Sequence, residues 1–287
     1  MKKVGFIGLG TMGKGMAYNI QQAGFELMVY DIDKEATGMF VLAGGKAAKN
    51  PKEVAELSEV VLTMLPDVPQ VEEVYLGHAG LIEGAHQRLY LIDCSTVDPD
   101  CSRRVSRAAA EAGVVMFDAP VGGSPMEAAT GNLVMLAGGD KKDILACRDV
   151  LDACGERTLF CGPVGSGSAL KLANNLMTLI QHQMIVEGYN LAELAGVNTT
   201  ALCELQRVNA PKNHEMITLT VMAKEHKAGF NIQLANKDLK HALKMANDVG
   251  APTALAAVVK STLQMQINRG KGHLAAQSIK QLYENNM

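Results

Sequence analysis

Short apolar runs alternate with helix-length segments through the first half of the chain. The runs span four or five residues rich in Val, Ile and Leu, a pattern that favours strands. Strands separated by helical segments predict βαβ units and a mainly parallel sheet. The predicted strands are Val4–Ile7, Leu27–Tyr30, Val60–Met64, Leu89–Ile92, Val114–Phe117, Leu133–Ala137 and Thr158–Cys161.

The pattern changes near Val164. From Leu170 to Tyr283, apolar residues recur at helical spacing and no persuasive strand is found. We therefore expect an α/β domain over residues 1–163, built around a doubly wound, mainly parallel sheet. An all-helical domain is expected over residues 164–287, joined through a long helix that begins near residue 168.

A glycine-rich turn lies between the first predicted strand and a helical pattern. Gly8, Gly10 and Gly13 have the Gly-x-Gly-x-x-Gly spacing of dinucleotide-binding turns. The first glycine permits the tight turn, the second lets backbone N–H groups approach a pyrophosphate, and the third lets helix and strand pack closely. The helix start then offers its positive dipole end to the phosphates. The alternative is a glycine-rich turn with no ligand.

Asp31 follows the second predicted strand, at the spacing where an acid accepts hydrogen bonds from ribose hydroxyls. Its carboxylate would repel a 2′-phosphate, and no arginine occurs among the next three residues to bind one. The sequence therefore favours NAD over NADP. Lys34 leaves NADP as the second choice, because an ammonium group can pair with a phosphate.

Polar residues interrupt the apolar helical segment that starts near Leu170. They are three, four or seven residues apart, so they share one face of the helix. Buried amide and ammonium groups are unfavourable unless they meet water, a partner or a ligand, so this face is a candidate site. The alternative is a lysine at an exposed helix start. The residues are Lys171, Asn174, Asn175, Thr178 and His182.

Composition excludes several classes of function. The chain has 287 residues, a net charge of −3, 48% hydrophobic residues and 20% charged residues, which is typical of a globular protein. No basic cluster indicates nucleic acid, and no apolar run reaches the roughly 18 to 20 residues of a membrane span. The six cysteines lack metal-ligand spacing, so no metal is expected. Without a recognisable signal peptide, we expect reduced thiols and a cytoplasmic location.

Short motifs follow one another along the whole chain: Gly8–Gly13, Met64-Leu65-Pro66, Asp93-Cys94-Ser95-Thr96, Asp118–Gly123, Gly165-x-Gly167-x-x-x-Lys171-x-x-Asn174-Asn175 and Lys237-Asp238-Leu239. Together they resemble the β-hydroxyacid dehydrogenases, which include 3-hydroxyisobutyrate dehydrogenase, tartronate semialdehyde reductase and succinic semialdehyde reductases. The resemblance implies a Rossmann domain and a helical domain that mediates a homodimer or homotetramer. It also implies hydride transfer between NAD(H) and a short 3- or 4-hydroxy acid or its carboxylic semialdehyde.

The resemblance implies a role for each matching residue. Lys171 is the expected general acid/base, and Asn175 is its polar partner near the reacting oxygen. A buried lysine can exchange the carbinol proton once burial and the charge of oxidised nicotinamide lower its pKa from about 10.4 toward neutrality. The expected cofactor-binding residues are Gly8, Gly10, Thr11, Met12, Gly13, Asp31, Leu65, Pro66, Thr96 and Lys237. The expected substrate-binding residues are Gly122, Gly123, Ser124, Asn174 and Thr178.

The substrate motif departs from the family pattern. Many relatives carry Ser-Gly-Gly where this chain has Gly122-Gly123-Ser124, so the hydroxyl that helps bind the carboxylate is displaced or supplied by Ser124. Sulfolactaldehyde reductases, one alternative, carry an arginine at the position of Gly123, and its absence argues against a sulfonate. The chain lacks the length and basic residues of a 6-phosphogluconate dehydrogenase, and imine reductases typically replace the lysine that stands here as Lys171. A non-catalytic dinucleotide-binding module is the alternative from a different class.

Overall fold

A computed structural model gives the fold of the chain and describes residues 2–42, 44–209, 230–276 and 278. The chain divides into two units, Met1–Lys171 and Leu172–Met287, and the division falls inside a long helix. The expected boundary between residues 163 and 164 lies just ahead of that helix. Tyr283, the expected end of the helical pattern, lies outside the described residues.

Within the described residues of the first unit, nine strands form one sheet. All seven predicted strands are present, and the prediction of a mainly parallel sheet of the Rossmann type is confirmed. The strands are β1 Lys3–Ile7, β2 Glu26–Tyr30, β3 Lys46–Ala47, β4 Val60–Thr63, β5 Tyr90–Asp93, β6 Val115–Asp118, β7 Val121–Gly122, β8 Leu133–Gly138 and β9 Gly155–Gly162.

The strand order is β3-β2-β1-β4-β5-β6-β8-β7, and β9 also pairs with β8. Strands β1 to β6 pair in parallel, whereas β8 is antiparallel to β6 and β7 and parallel to β9. The sequence pattern missed β3 and β7 because each has only two residues. Strand β7 includes Gly122, which pairs with Val134 of β8, so part of the expected turn is extended.

Helices cover both faces of the sheet. Val4 and Phe6 belong to one buried cluster, whereas Ile7 on the same strand belongs to another, because alternate strand residues point to opposite faces. Asn50 and Asp67 cap their helices with side-chain acceptors, and proline follows within the first turn of each. The helices are α1 Gly13–Gln22, α2 Lys34–Leu42, α3 Pro51–Leu57, α4 Val68–Leu76, α5 Pro99–Glu111, α6 Pro125–Thr130, α7 Lys141–Ala146 and α8 Arg148–Cys154, with a 3₁₀ turn at Leu81–Gly84.

The second unit is built of helices in its described residues, apart from one isolated bridge between Asn231 and Ala275. Helix α9 runs over Ser166–Leu194, as the sequence predicts for a long helix starting near residue 168. The unit has its own core of fully buried apolar side chains, including Leu172, Leu179 and Leu239. No helix in the described part of the chain has the length and apolar character to cross a membrane. The other helices are α10 Thr199–Asn209, α11 Ile232–Asp248 and α12 Ala254–Asn268.

Candidate active site

The glycine-rich turn connects β1 to α1 with little space to spare at two of its three glycines. Gly8 has φ +96°, and a Cβ there would lie 2.2 Å from the carbonyl oxygen of Met64. A Cβ on Gly13 would lie 1.8 Å from the carbonyl oxygen of Gly8. Gly10 differs, because a Cβ there would meet no atom within 4 Å. The turn therefore leaves open space at Gly10, where a dinucleotide pyrophosphate needs to approach the backbone, so the residues present fit the expected cofactor.

Asp31 lies at the carboxyl end of β2 and is half-buried. Its carboxylate accepts a hydrogen bond from the Leu9 N–H at 2.6 Å and another from the Asp33 N–H at 2.8 Å. Each oxygen of an ionised carboxylate has a second lone pair that can accept a ribose hydroxyl. Lys34 stacks its ammonium 5.2 Å from the ring centre of Tyr30. Asp31 thus fixes the glycine-rich turn as well as standing where the ribose is expected.

A buried polar network lies beneath the loops that follow β4 and β5. The Asp93 carboxylate accepts hydrogen bonds from the Thr63 hydroxyl at 2.7 Å and from the Ser95 hydroxyl at 2.6 Å. Ser95 in turn accepts a hydrogen bond from the Leu65 N–H at 2.9 Å. The Tyr75 hydroxyl is 3.0 Å from the Thr63 hydroxyl, and burial raises the pKa of Tyr75 well above its usual range. The network fixes the loops that carry the expected cofactor residues Leu65, Pro66 and Thr96.

A second buried carboxylate holds the start of α9. Asp118 ends β6 and is fully buried. One of its oxygens accepts a hydrogen bond from the Gly165 N–H at 2.6 Å, and the other accepts one from the Ser168 N–H at 2.7 Å. Gly165 directly precedes α9 and Ser168 lies in its first turn, where N–H groups have no partner within the helix. Lys171 follows one turn later in the same helix and is half-buried.

The polar residues predicted to share a face of α9 differ in burial. Asn174 is exposed, whereas Asn175 and Thr178 are half-buried. The Thr178 hydroxyl donates to the carbonyl oxygen of Asn174 at 3.0 Å, so it is engaged within the helix. His182 is 6% exposed, and burial lowers the pKa of His182 to about 4. The imidazole is therefore neutral near pH 7.

In the second unit, two of the expected site residues, Asn175 and Lys237, both contact Asp238, to which the sequence analysis gave no role. Asn175 donates a hydrogen bond from its amide to Asp238 at 2.7 Å. The Lys237 ammonium lies 3.1 Å from the other oxygen of Asp238, whose side chain is 4% exposed. Asp238 therefore orients an amide and an ammonium group that were both expected to serve the site.

The expected substrate turn is partly occupied by the chain itself. Ser124 caps α6, where its hydroxyl accepts a hydrogen bond from the Met126 N–H at 3.2 Å. The Glu127 carboxylate accepts hydrogen bonds from both the Ser124 N–H and its hydroxyl. Gly123 has φ +131°. The turn thus binds a carboxylate, but in this structure that carboxylate is the side chain of Glu127.

Three buried acids beside these sites, Asp93, Asp118 and Asp238, were given no role by the sequence analysis. All three are carboxylates with at most 3% exposure, whereas an unpaired buried carboxylate is strongly unfavourable. An acid directly at the end of an apolar strand is the signal that could have found Asp93 and Asp118. Their hydrogen-bond partners lie outside the strands that they end, so the signal names no partner.

Comparison with known proteins follows the same division of the chain. A family profile described as the NAD binding domain of 6-phosphogluconate dehydrogenase matches residues 3–162. Another, described as the NAD-binding of NADP-dependent 3-hydroxyisobutyrate dehydrogenase, matches residues 165–283. The mitochondrial 3-hydroxyisobutyrate dehydrogenase of Mus musculus is 31% identical over 276 residues, which span 93% of this chain and 82% of the mouse protein. This chain belongs to the β-hydroxyacid dehydrogenase family.

Further members of the family support the same assignment. The NAD-dependent L-serine dehydrogenase of Pseudomonas aeruginosa is 30% identical, over 99% of this chain and 98% of its own length. A solved structure of Mycobacterium tuberculosis 3-hydroxyisobutyrate dehydrogenase with L-serine has a TM-score of 0.90 and 26% identity, with 99% of both chains covered. The predictions of an NAD-dependent oxidoreductase and of NAD as its cofactor are confirmed. The roles of individual residues remain predictions.

Proposed function

We propose that the chain interconverts a short 3-hydroxy acid and its carboxylic semialdehyde, with Lys171 as the general acid/base. The observation that carries this proposal is the position of Lys171, one helical turn after the amides that Asp118 holds at the carboxyl edge of the sheet. Ligands of such sheets bind beyond that edge. A half-buried lysine there can meet the reacting oxygen of a substrate.

Two relatives favour a 3-hydroxy acid over a 4-hydroxy acid. Their names refer to 3-hydroxyisobutyrate and L-serine, and both compounds carry the hydroxyl on C3 of a short acid. Gly123 leaves no cationic side chain for a sulfonate, which disfavours the sulfolactaldehyde alternative. Retention of both Lys171 and Asn175 disfavours a non-catalytic dinucleotide-binding module.

The proposed chemistry assigns each step to a group of this chain. The glycine-rich turn and Asp31 hold the cofactor, which when bound supplies or accepts the hydride. In the direction of reduction, the Lys171 ammonium donates a proton to the oxygen that becomes the hydroxyl. In the direction of oxidation, the neutral amine takes that proton back. Asn175, oriented by Asp238, serves as the polar partner of the same oxygen.

The substrate acid group is proposed to meet the backbone N–H groups of Gly122 and Gly123. Glu127 already occupies the donors of Ser124, so the Ser124 hydroxyl contributes only where the substrate carboxylate displaces Glu127. Lys237, Asn174 and Thr178 remain the proposed supporting residues, with Lys237 held by Asp238.

Replacement of Lys171 tests the proposal. Lys171→Ala is expected to lower kcat by about 10²-fold to 10⁴-fold with the Kd for NAD nearly unchanged, because the lysine exchanges a proton and does not bind the cofactor. Lys171→Arg is expected to be nearly as slow, since a guanidinium keeps the charge but does not give up its proton. Lys142→Ala, at an exposed position on α7, is the control. A Lys171→Ala enzyme that keeps more than about a tenth of wild-type kcat contradicts the proposal.

A substrate panel tests the choice of acid. Steady-state rates with 3-hydroxyisobutyrate, L-serine, 4-hydroxybutyrate and n-butanol, each with NAD, separate the position of the hydroxyl from the need for an acid group. We expect the 3-hydroxy acids to have the highest kcat/KM and n-butanol the lowest. Equal values for n-butanol and the acids would remove the carboxylate from the proposal.

A homodimer or homotetramer in the cytoplasm completes the proposal. Met177, Met184 and Leu191 recur every seven residues along α9 and are 56%, 50% and 71% exposed, which supports contact with another copy. All six cysteines carry free thiols, as expected in a reducing compartment. A single-chain mass in sedimentation equilibrium at micromolar concentration would contradict the oligomer. Recovery in a membrane or extracellular fraction would contradict the location.

A further inference from the structure

Asp118 connects two segments that are far apart in the chain. Its bonds to the Gly165 and Ser168 amides span 47 and 50 residues, and they join the end of β6 to the start of α9. Both bonds are short, at 2.6 and 2.7 Å, and both have an ionised acceptor, which makes them stronger than bonds between neutral groups. The carboxylate is fully buried, so water does not compete for these amides.

The surrounding packing allows the helix start few other positions. A Cβ on Gly167 would lie 2.0 Å from the carbonyl oxygen of Leu136 and 2.9 Å from Oδ2 of Asp118. The Ser168 hydroxyl is also 3.0 Å from the hydroxyl of Ser102 on α5. The first turn of α9 is therefore pressed against β8 and held by hydrogen bonds on two sides. Lys171 is the next residue of this helix that carries an ionisable side chain.

We propose that Asp118 is a positioning residue for the reaction, because it holds the first turn of α9 and thereby sets the place of Lys171. The inference rests on the proposed role of Lys171 as the acid/base. It explains why a carboxylate is buried at the end of β6, where an apolar side chain would leave two helix amides without an acceptor. The two residues whose amides Asp118 holds, Gly165 and Ser168, are not among the expected substrate or cofactor residues.

The protonation state of Asp118 gives this role a measurable signature. Burial raises the pKa of Asp118 to about 6, although the two amide bonds oppose that rise. Below that pH the carboxyl group is neutral and one oxygen carries a proton, so the bonds from the two amides lose their ionised acceptor and weaken. The titratable groups beside it include Cys161 on β9 and Asp93, which stands opposite Asp118 in the β5–β6 register. The Arg103 guanidinium lies close to Gly165, where a Cβ would be 3.0 Å from it. Burial, and then the charge of Asp118, raises the pKa of the Cys161 thiol, which keeps it neutral near pH 7.

The test compares Asp118→Asn and Asp118→Ala with wild type in the direction of semialdehyde reduction. In that direction Lys171 must be protonated, so its own titration lowers kcat toward high pH and leaves the acid side clear. Asp118→Asn keeps one acceptor and is expected to lower kcat at pH 7.5 by about 10-fold, and Asp118→Ala by about 10²-fold. The Kd for NAD, measured by fluorescence titration, is expected to stay within about twofold, as expected for a cofactor turn built from other residues.

The pH profile distinguishes positioning from a general loss of structure. Wild-type kcat is expected to fall through an apparent pKa of about 6 toward the rate of Asp118→Asn, whereas Asp118→Asn stays flat over that range. Asp140→Asn is the control, because Asp140 is an exposed carboxylate that caps a different helix, α7, by accepting a hydrogen bond from the Lys142 N–H. It is expected to keep wild-type kcat and the acid-side fall.

Each outcome separates this inference from the proposed function. A folded Asp118→Asn enzyme with kcat within twofold of wild type overturns the positioning role. An acid-side fall that persists in Asp118→Asn also overturns it. Should Asp118→Ala not fold, the Asn variant and the pH profile decide alone, because asparagine keeps the shape of the side chain and one acceptor oxygen. If Asp118→Asn has the kcat of wild type and Lys171→Ala is inactive, only the positioning role is refuted. If Lys171→Ala is active, the proposed function is refuted.

Discussion

Gly10 offers the sharpest test of where the cofactor binds, because its replacement should affect binding and stability in opposite ways. A Cβ on Gly10 meets nothing within 4 Å, and its φ lies outside the range that favours glycine. Alanine there is expected to leave the fold intact and to stabilise it by about 0.4–1 kcal/mol, since the unfolded chain loses freedom. The same methyl group enters the space in which a pyrophosphate approaches the backbone. Overpacking of about 1–3 kcal/mol corresponds to a Kd for NAD raised by about 5- to 150-fold.

Two further glycines provide the comparison. Gly13→Ala is expected to lose about 1–3 kcal/mol of stability or more, because its Cβ would lie 1.8 Å from the backbone oxygen of Gly8, which cannot rotate away. Gly38→Ala is the control, since Gly38 lies in α2 with no atom within 4 Å of a Cβ. It is expected to gain stability through helix propensity and to bind NAD as the wild type does.

The assay combines urea unfolding of the free proteins with isothermal titration of NAD. Melting with and without NAD gives a second reading, because a ligand that binds only the folded state raises Tm by an amount that grows with the logarithm of its affinity. A Gly10→Ala protein that binds NAD within twofold of wild type would refute the assignment of the pyrophosphate to this turn. A Gly10→Ala protein as unstable as Gly13→Ala would show that the fold itself requires a glycine at position 10, and that this requirement does not come from the cofactor.

Two other substitutions test where the ribose of NAD and the carboxylate of the substrate bind. Asp31→Asn is expected to lower kcat/KM for NADH by about tenfold, since it removes a charge and one acceptor at a half-buried site. The preference of the enzyme for NADH over NADPH is expected to narrow or to reverse. Asp33→Asn is its control, and a wild-type preference for NADPH would contradict the role of Asp31. Gly122→Ser is expected to lower KM for a hydroxy acid about tenfold, because the new hydroxyl can donate a hydrogen bond to the substrate carboxylate. Gly122→Ala is expected to leave KM unchanged. Both side chains fit, since a Cβ at this position would lie 3.7 Å from Val134. Equal KM values for the two Gly122 variants would place the acid group elsewhere.

Local patterns account for the parts of the fold and site that the sequence could predict. The strands of four or more residues were predicted because a strand that is buried on both faces must be apolar, whichever strands it pairs with. The glycine-rich turn and Asp31 were found because they lie within one short strand–helix–strand unit. Strands β3 and β7 were missed, since two residues carry no period and their pairing depends on neighbours distant in the chain.

Long-range polar contacts account for what the sequence could not predict. Thr63 donates to Asp93 across 30 residues, and the amides of Gly165 and Ser168 reach Asp118 across 47 and 50. Nothing in a single sequence says which buried acid will meet which amide, because the pairing is set by the packing of the whole sheet. The engagement of Ser124 by Glu127 is different, since a serine three residues before a glutamate is a local capping signal that the sequence carries.

Three acids at one edge of the sheet differ in burial and therefore in what they can bind. Asp31, Asp93 and Asp118 follow or end β2, β5 and β6, which all run parallel, so the three carboxylates lie at the same edge. Each accepts at least one backbone N–H from a loop or helix start, but only Asp31 is exposed enough to accept bonds from a ligand as well. The two buried acids satisfy amides of the neighbouring loops and of the start of α9, while a Cβ on Gly10, just before α1, would meet no atom within 4 Å. The backbone N–H groups that bond to these carboxylates partly offset their charge, which lowers the repulsion that a negatively charged dinucleotide is expected to meet at this edge.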